Sequence, residues 1–300
     1  MKTHFEQFSQ WGQVTEHLEL KTVSTYRIGG LCDYFIEPYS DDSLHHLIDY
    51  CKHHAIPTKV IGNASNMLIG DDVFHGLVIR LRKGFDELVF ETNRVTVGAG
   101  YGLIALAYKA AQHNLTGLEF VSGIPGTVGG ALYMNAGAYQ KSIYDLVNRV
   151  YVYKKDAFVW MDRSDIESSY RMSSFMMHPD WIILKVELQL EAGSQSESEI
   201  MMKDRLQRRL QSQPLDKPSC GSVFRNPEGH YAWEYIEGAH LRGTQIGDAQ
   251  ISDKHANFIV NNGNAKAQDV LALIQLIQSQ VFERYHVHLH PEVEFFNFHD

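Results

Sequence analysis

Apolar positions along this chain alternate between a period of two and a period of 3.6, and the switches divide it into elements. Residues 32–38 (CDYFIEP) predict a strand. Leu44, Leu47, Ile48 and Cys51 fall at helical spacing and predict a helix over about 41–54. Pro57 closes the link to a second strand, TKVIG, which runs into the loop GNASN. GLVIRL and RVTVGAG predict two more strands, and Leu103, Leu106, Ala107 and Ala110 predict a helix over about 102–113. Further strands are expected around 147–154 and 181–190. Serines and acids at 194–199 predict a linker, followed by a polar helix over about 197–212. KPSCGSVFRNP is rich in turn residues, and NFIVN at 257–261 predicts a strand. Val270, Leu273, Ile274, Ile277 and Val281 form one stripe of a helix over about 266–285, with Asn264 as its expected N-cap. The closing HVHLHPEVEFF alternates as a strand. Strands and helices mix without strict βαβ alternation, so the expected class is α+β rather than a doubly wound sheet.

Length and charge narrow the function classes. At 300 residues the chain is expected to form two or three compact units. Hydrophobic residues make up 44% and charged residues 21%, the balance of a soluble globular enzyme. The formal charge of -9 argues against sequence-independent binding of nucleic acid, which depends on neutralising phosphates. An anionic ligand would have to be held locally, by backbone N–H groups and a few placed cations. The N-terminal MKTHFEQFSQWGQV has no apolar core of a signal peptide, and no apolar run approaches the roughly 18–20 residues of a membrane span. Cys32, Cys51 and Cys220 are few and far apart, which fits a reducing cytoplasm with no disulfide frame and no thiolate zinc site.

The most unusual segment is SGIPGTVGGALYMNAGAY. Its Gly123, Gly126, Gly129 and Gly130 let the backbone take positive φ and bring N–H groups close to a ligand. A diphosphate suits such a loop, and so does a tight buried connection between elements. The spacing matches neither a Rossmann fingerprint nor a P-loop. The loop Gly62-Asn63-Ala64-Ser65-Asn66 is alone an ordinary turn at a strand end.

Taken together, in this order and about 60 residues apart, the two loops resemble the FAD-binding domain of vanillyl-alcohol-oxidase-type (PCMH-type) flavoproteins. Six motifs narrow the resemblance: TYRIGG at 25–30, GNASNMLI at 62–69, GLEFVSGIPGTVGGALYMNAGAY at 117–139, SYRMSSF at 169–175, GSVFRNP at 221–227 and HPEVEFF at 290–296. Their order is that of the UDP-N-acetylenolpyruvoylglucosamine reductases, from about residue 20 to the C-terminus. Ala64 stands where the family usually has a second glycine, and its methyl asks for negative φ or for space. Gln140 stands where glycine often follows the tyrosine, and the glycine that commonly follows EVEFF is absent.

The resemblance implies a two-subdomain FAD-binding fold with an α+β substrate-binding domain. FAD, bound without a covalent link, would contact Gly62, Asn63, Ala64, Ser65, Asn66, Gly123, Pro125, Gly126, Thr127 and Gly130. NADPH and UDP-N-acetylglucosamine enolpyruvate would be the two substrates. Catalytic roles would fall on Arg171, Ser222 and Glu292. The chemistry suits these types: hydride addition to an enol ether leaves a carbanion conjugated with a carboxylate. A guanidinium steadies that anion, a glutamic acid adds a hydrogen bond, and a serine hydroxyl is acidic enough to protonate a carbanion. Tyr139 and Asn226 are implied contacts for the UDP-sugar, and His255 is a further one.

Each residue alone has a plainer reading: a surface ion pair for Arg171, a turn for Ser222, a strand edge for Glu292. Cys220 reads as a packing residue. His286, His288 and His290 read as a solvated face with Tyr285, Val287 and Leu289 inward, not as a metal site; His290 falls near Glu292. Only one strand and one helix fit between Arg171 and Ser222, which places the chain in the family's shorter branch, without the inserted tyrosine segment. The expected division is 1–71 completed by 286–300, then 72–195, together holding FAD, and 196–285 binding UDP-sugar. A cytoplasmic monomer is expected, without membrane or nucleic-acid partners. A flavin oxidase on the same scaffold and a non-catalytic sugar-nucleotide sensor are the rivals.

Overall fold

The computed structural model describes residues 4–298, so the ends of the terminal segments read above lie outside the described residues. Two compact units emerge. The first comprises residues 1–16, 34–63 and 76–207, and the second comprises 17–33, 64–75 and 208–300.

The first unit is built on two sheets. One has the strand order Gly12–Glu19, Leu31–Pro38, Phe74–Arg80, Thr58–Ile61, with the last two parallel. The unit boundaries fall inside three of these strands. The other sheet has five antiparallel strands in the order Ala157–Asp162, Val147–Lys154, Ile182–Gln189, Arg94–Gly98, Leu88–Glu91. The helix Asp41–His53 starts at Ser40, whose hydroxyl accepts from the Ser43 N–H at 3.2 Å. Asp41 and Asp42 in its first turn and Lys52 in its last complement the helix dipole. Leu44, Leu47, Ile48 and Cys51 are its buried face, as their spacing predicts. Leu103, Leu106, Ala107 and Ala110 do the same for Leu103–Gln112, and both faces join one core with Val95, Val97, Val150, Val152, Val186 and Leu188. Burial of each larger side chain contributes about 1.5–3 kcal/mol.

The second unit packs the helix Ala267–Tyr285 on the antiparallel sheet Gln245–Ile246, Ala249–Ile251, Ile259–Asn261. The predicted stripe from Val270 to Val281 is its buried face. A short parallel pair joins Met67–Ile69 to Glu294–Phe296. Helices and mostly antiparallel strands make this an α+β protein.

Three expectations fail locally. Asn264 does not cap the long helix. Lys266 is the N-cap residue, and the orphan N–H groups of Ala267 and Gln268 donate to the Asp71 carboxylate at 3.0 and 3.3 Å. An ionised acceptor at a helix start also gains from the dipole, which is why a residue remote in sequence displaces the local one. The linker at 194–199 is mostly the first turn of the helix Gln195–Ser212, because Ser194 accepts from the Ser198 N–H at 3.0 Å. Residues 286–290 form no ladder strand: His286 ends the long helix with φ 55°, and His288 stacks on Phe282 at 4.4 Å. The inward–outward pattern survives, with Leu289 buried and His286, His288 and His290 exposed.

Candidate active site

Gly62 and Thr127, one from each glycine loop, meet inside the first unit. A Cβ built on Gly62 would lie 2.5 Å from the Thr127 hydroxyl oxygen, so only glycine permits this approach. The loop 123–130 is stitched to the preceding strand and helix: Leu103 donates to the Gly126 carbonyl at 3.1 Å, and Val128 to the Tyr101 carbonyl at 2.9 Å. Thr127 caps the short helix Val128–Tyr133 by accepting from the Gly130 N–H. No hydrogen bond among the described residues takes up the N–H of Gly126 or Thr127. Small residues, uncommitted N–H groups and no carboxylate among residues 123–130 fit the diphosphate of a dinucleotide. Gly123 and Pro125 lie on the same loop.

Asn63 closes a segment of the first unit, and Ala64, Ser65 and Asn66 open a segment of the second. Ala64 has φ 47° and a buried methyl, so the chain keeps a glycine-like backbone and makes space for the side chain instead of moving to negative φ. Asn66 holds the C-terminal segment: its Nδ2 donates to the Glu292 carbonyl at 3.0 Å and its carbonyl accepts from Glu294 at 2.9 Å.

Arg171 and Tyr139 sit on neighbouring hairpins of the first unit. Ser168–Ser169 pairs with Met172–Ser173, leaving Tyr170 and Arg171 as a two-residue turn. Gly137–Ala138 pairs with Lys141–Ser142, leaving Tyr139 and Gln140. Arg171 has φ 55°, Tyr139 55° and Gln140 61°, left-handed values that such turns normally give to glycine or asparagine. Side chains hold them there. Arg171 Nη2 donates to the Gly137 carbonyl at 3.0 Å, and the Arg171 guanidinium lies 5.1 Å from the Tyr170 ring centre. The Arg205 guanidinium lies 4.3 Å from the Tyr139 ring centre. Arg205 carries no sequence signal of its own; a polar helix offers many cations and nothing to choose among them.

The helix bearing Arg205 is anchored by Glu119. This buried carboxylate accepts from Ser198 Oγ and Thr116 Oγ1 at 2.6 Å each and from the Gly117 N–H at 3.0 Å. Burial pushes its pKa up, but the hydrogen bonds outweigh it and hold the carboxyl below the ordinary range.

Ser222 and Glu292 share the second unit. Ser222 pairs with Phe258 on one side, and Phe224 pairs with Pro291 on the other. Glu292 donates its N–H to the Val223 carbonyl at 2.7 Å, and Arg225 donates to the His290 carbonyl at 2.9 Å. Asn257 adds a side-chain rung, accepting from the Phe224 N–H at 2.9 Å and donating to its carbonyl at 2.8 Å. The short ladder around residues 222–225 therefore ties in both: Ser222 bridges Phe258 on one edge, and Glu292 bonds the neighbouring Val223 on the other. Cys220 is buried, and burial, with the Glu292 charge adding, pushes its thiol up to about 12, the opposite of an activated nucleophile. Asn226 is exposed, and its side-chain carbonyl accepts from the Ala232 N–H at the start of the helix Ala232–Gly238. His255 is half-buried; burial first, then the Arg242 charge, lowers its pKa and favours the neutral ring. Arg171 belongs to the first unit. Among the described residues, no cluster of His, Cys, Asp and Glu is arranged to hold a metal.

Comparison with known proteins gives the family. The family model described as FAD binding domain matches residues 32–159, which makes the chain a flavoprotein of the FAD-binding oxidoreductase class. The model described as UDP-N-acetylenolpyruvoylglucosamine reductase, C-terminal domain, matches residues 213–296. UDP-N-acetylenolpyruvoylglucosamine reductase 1 of Bacillus cereus is 41% identical over 284 residues, covering 94% of each chain. The reductase of Anoxybacillus flavithermus is 40% identical with the same coverage. The crystal structure of UDP-N-acetylenolpyruvylglucosamine reductase from Thermus caldophilus superposes with a TM-score of 0.83 and 33% identity, covering 95% of this chain and all of that one. The chain belongs to the UDP-N-acetylenolpyruvoylglucosamine reductase family. Among the described residues no helix is long and apolar enough to cross a membrane.

Proposed function

We propose that this enzyme reduces UDP-N-acetylglucosamine enolpyruvate to UDP-N-acetylmuramate with NADPH, as a cytoplasmic monomer making peptidoglycan precursors. When bound, FAD would supply the hydride chemistry that links NADPH to the enolpyruvyl double bond. The chain's own residues do the rest. Gly126, Thr127 and their neighbours hold the diphosphate. Arg171, rooted on the Gly137 carbonyl, presents its guanidinium to the substrate carboxylate and the anion that builds on C2. The Ser222 hydroxyl donates the proton to C2. Glu292, protonated or sharing a proton with that anion, adds a second hydrogen bond. Tyr139, with Arg205 beside it, contacts the UDP-sugar, as do Asn226 and His255.

The division of labour follows the sequence reading: 1–71 with 286–300, and 72–195, hold FAD, while 196–285 binds substrate. The observation that carries the proposal is the bond from the Glu292 N–H to the carbonyl of Val223, the residue after Ser222, which brings two motifs remote in sequence together. Three free, buried cysteines suit a reducing compartment.

The visible spectrum of the purified protein tests the reading. A yellow flavin band is expected, bleached by NADPH without oxygen and restored by the enolpyruvyl sugar. Peroxide production without NADPH would mark an oxidase, and a colourless sugar-nucleotide binder would mark a sensor.

A further inference from the structure

We infer that Asn135 is a positioning residue for Arg171, given the role proposed above for that arginine. The two residues belong to facing segments that are stapled twice. Asn135 Nδ2 donates to the Ser169 carbonyl at 2.7 Å, two positions before Arg171. Arg171 Nη2 returns the link, donating to the Gly137 carbonyl at 3.0 Å, two positions after Asn135. A third bond, from Ser173 Oγ to the Tyr133 carbonyl at 2.6 Å, closes the far end of the same hairpin. The backbone of Arg171, at φ 55°, lies where side chains are disfavoured. An orientation that the turn does not select must be imposed from outside, and these bonds impose it.

The residue type fits the task. Asn135 itself has φ 44°, a conformation asparagine tolerates better than most side chains. Its amide provides a donor without adding a charge beside the guanidinium. The side chain is 6% exposed, yet its Oδ1 has no hydrogen-bond partner among the described residues. A buried carboxamide with one end unpaired is a poor device for stability alone, because the unpaired oxygen carries a desolvation cost. Its place here is explained by what the other end holds.

The test compares Asn135→Gly and Asn135→Asp, both compatible with the left-handed backbone and both lacking the donor. Flavin content and the rate of bleaching by NADPH should stay within about 3-fold of the parent. Reoxidation by the enolpyruvyl sugar should slow by about 10–100-fold, as expected when a group is misplaced by about an ångström. Affinity for UDP-N-acetylmuramate, measured by calorimetry, should fall with it. Combined with Arg171→Ala, neither change should slow reoxidation further, since a positioning residue has nothing left to position. The inference is overturned if reoxidation is unchanged in both variants while Arg171→Ala slows it. It is also overturned if flavin content, melting temperature and both half-reactions fall together, which would make Asn135 a packing residue. An Arg171→Ala enzyme with normal reoxidation would instead remove the reading of Arg171, and the inference with it.

Discussion

The turn that carries Arg171 is left-handed and held by side chains, whereas the segment that carries Ser222 is extended and held by rungs on both edges. The first arrangement stores conformational strain of about 1–2 kcal/mol per left-handed residue. The second stores little: Gly221, at φ 84°, takes the one positive angle before Ser222 at no steric penalty. The contrast matches what each group must do. A guanidinium on a long flexible stem needs its root fixed and its fork partly committed. A serine hydroxyl has one rotatable bond to place, so a rigid backbone suffices.

The contrast can be broken at four points. The largest effect is expected at the end of the ladder. Ser222→Ala should leave NADPH bleaching intact and slow reoxidation by the enolpyruvyl sugar by about 10³-fold, worth about 4 kcal/mol. Stopped-flow absorbance decides it, and unchanged reoxidation would remove Ser222 from the chemistry. Next comes the rung that holds it. Asn257→Leu leaves the buried N–H and carbonyl of Phe224 without partners, at a cost of about 2–4 kcal/mol in unfolding free energy by urea denaturation. A loss under about 1 kcal/mol would mean that the rungs to Asn257 and Glu292 are redundant.

On the strained side, Arg171→Lys should reduce reoxidation about 10²-fold, with melting temperature and flavin content unchanged. An ammonium cannot bond Gly137 and grip a planar carboxylate in the same fork, although it keeps the charge. Near-normal rates would show that charge alone suffices there.

These two regions were not equally legible in the sequence. Leu44, Leu47, Ile48 and Cys51, and the stripe from Val270 to Val281, announce their helices because burial of one face is a local, periodic property. Arg171, Ser222 and Glu292 stand out only as parts of ordered motifs; no spacing rule links Ser222 to Glu292, which a returning segment bonds to the neighbouring Val223. The hairpins are silent in the sequence for a chemical reason. Two-residue turns are recognised by Asn-Gly or a lone Gly, and these turns are Tyr139-Gln140 and Tyr170-Arg171. Capping by Asp71 and clamping by Asn66 and Asn257 are equally silent, because each is a bond to backbone far along the chain.

The smallest expected effect separates strain from packing as the means of holding Tyr139. Gln140, at φ 61°, occupies a position that glycine would fill without penalty. Gln140→Gly removes about 1–2 kcal/mol of strain and returns part of it as extra freedom of the unfolded chain, for a net gain of about 0.5–1 kcal/mol. In a chain of this size the melting temperature should rise by about 1–2 °C. If the Arg205 guanidinium on the ring is what holds Tyr139, the KM for the UDP-sugar should stay within about 2-fold. A larger rise in KM, with the higher melting temperature retained, would mean that the stiffness of a glycine-free turn fixes the tyrosine. The first unit would then use strain twice, at Tyr139 as at Arg171.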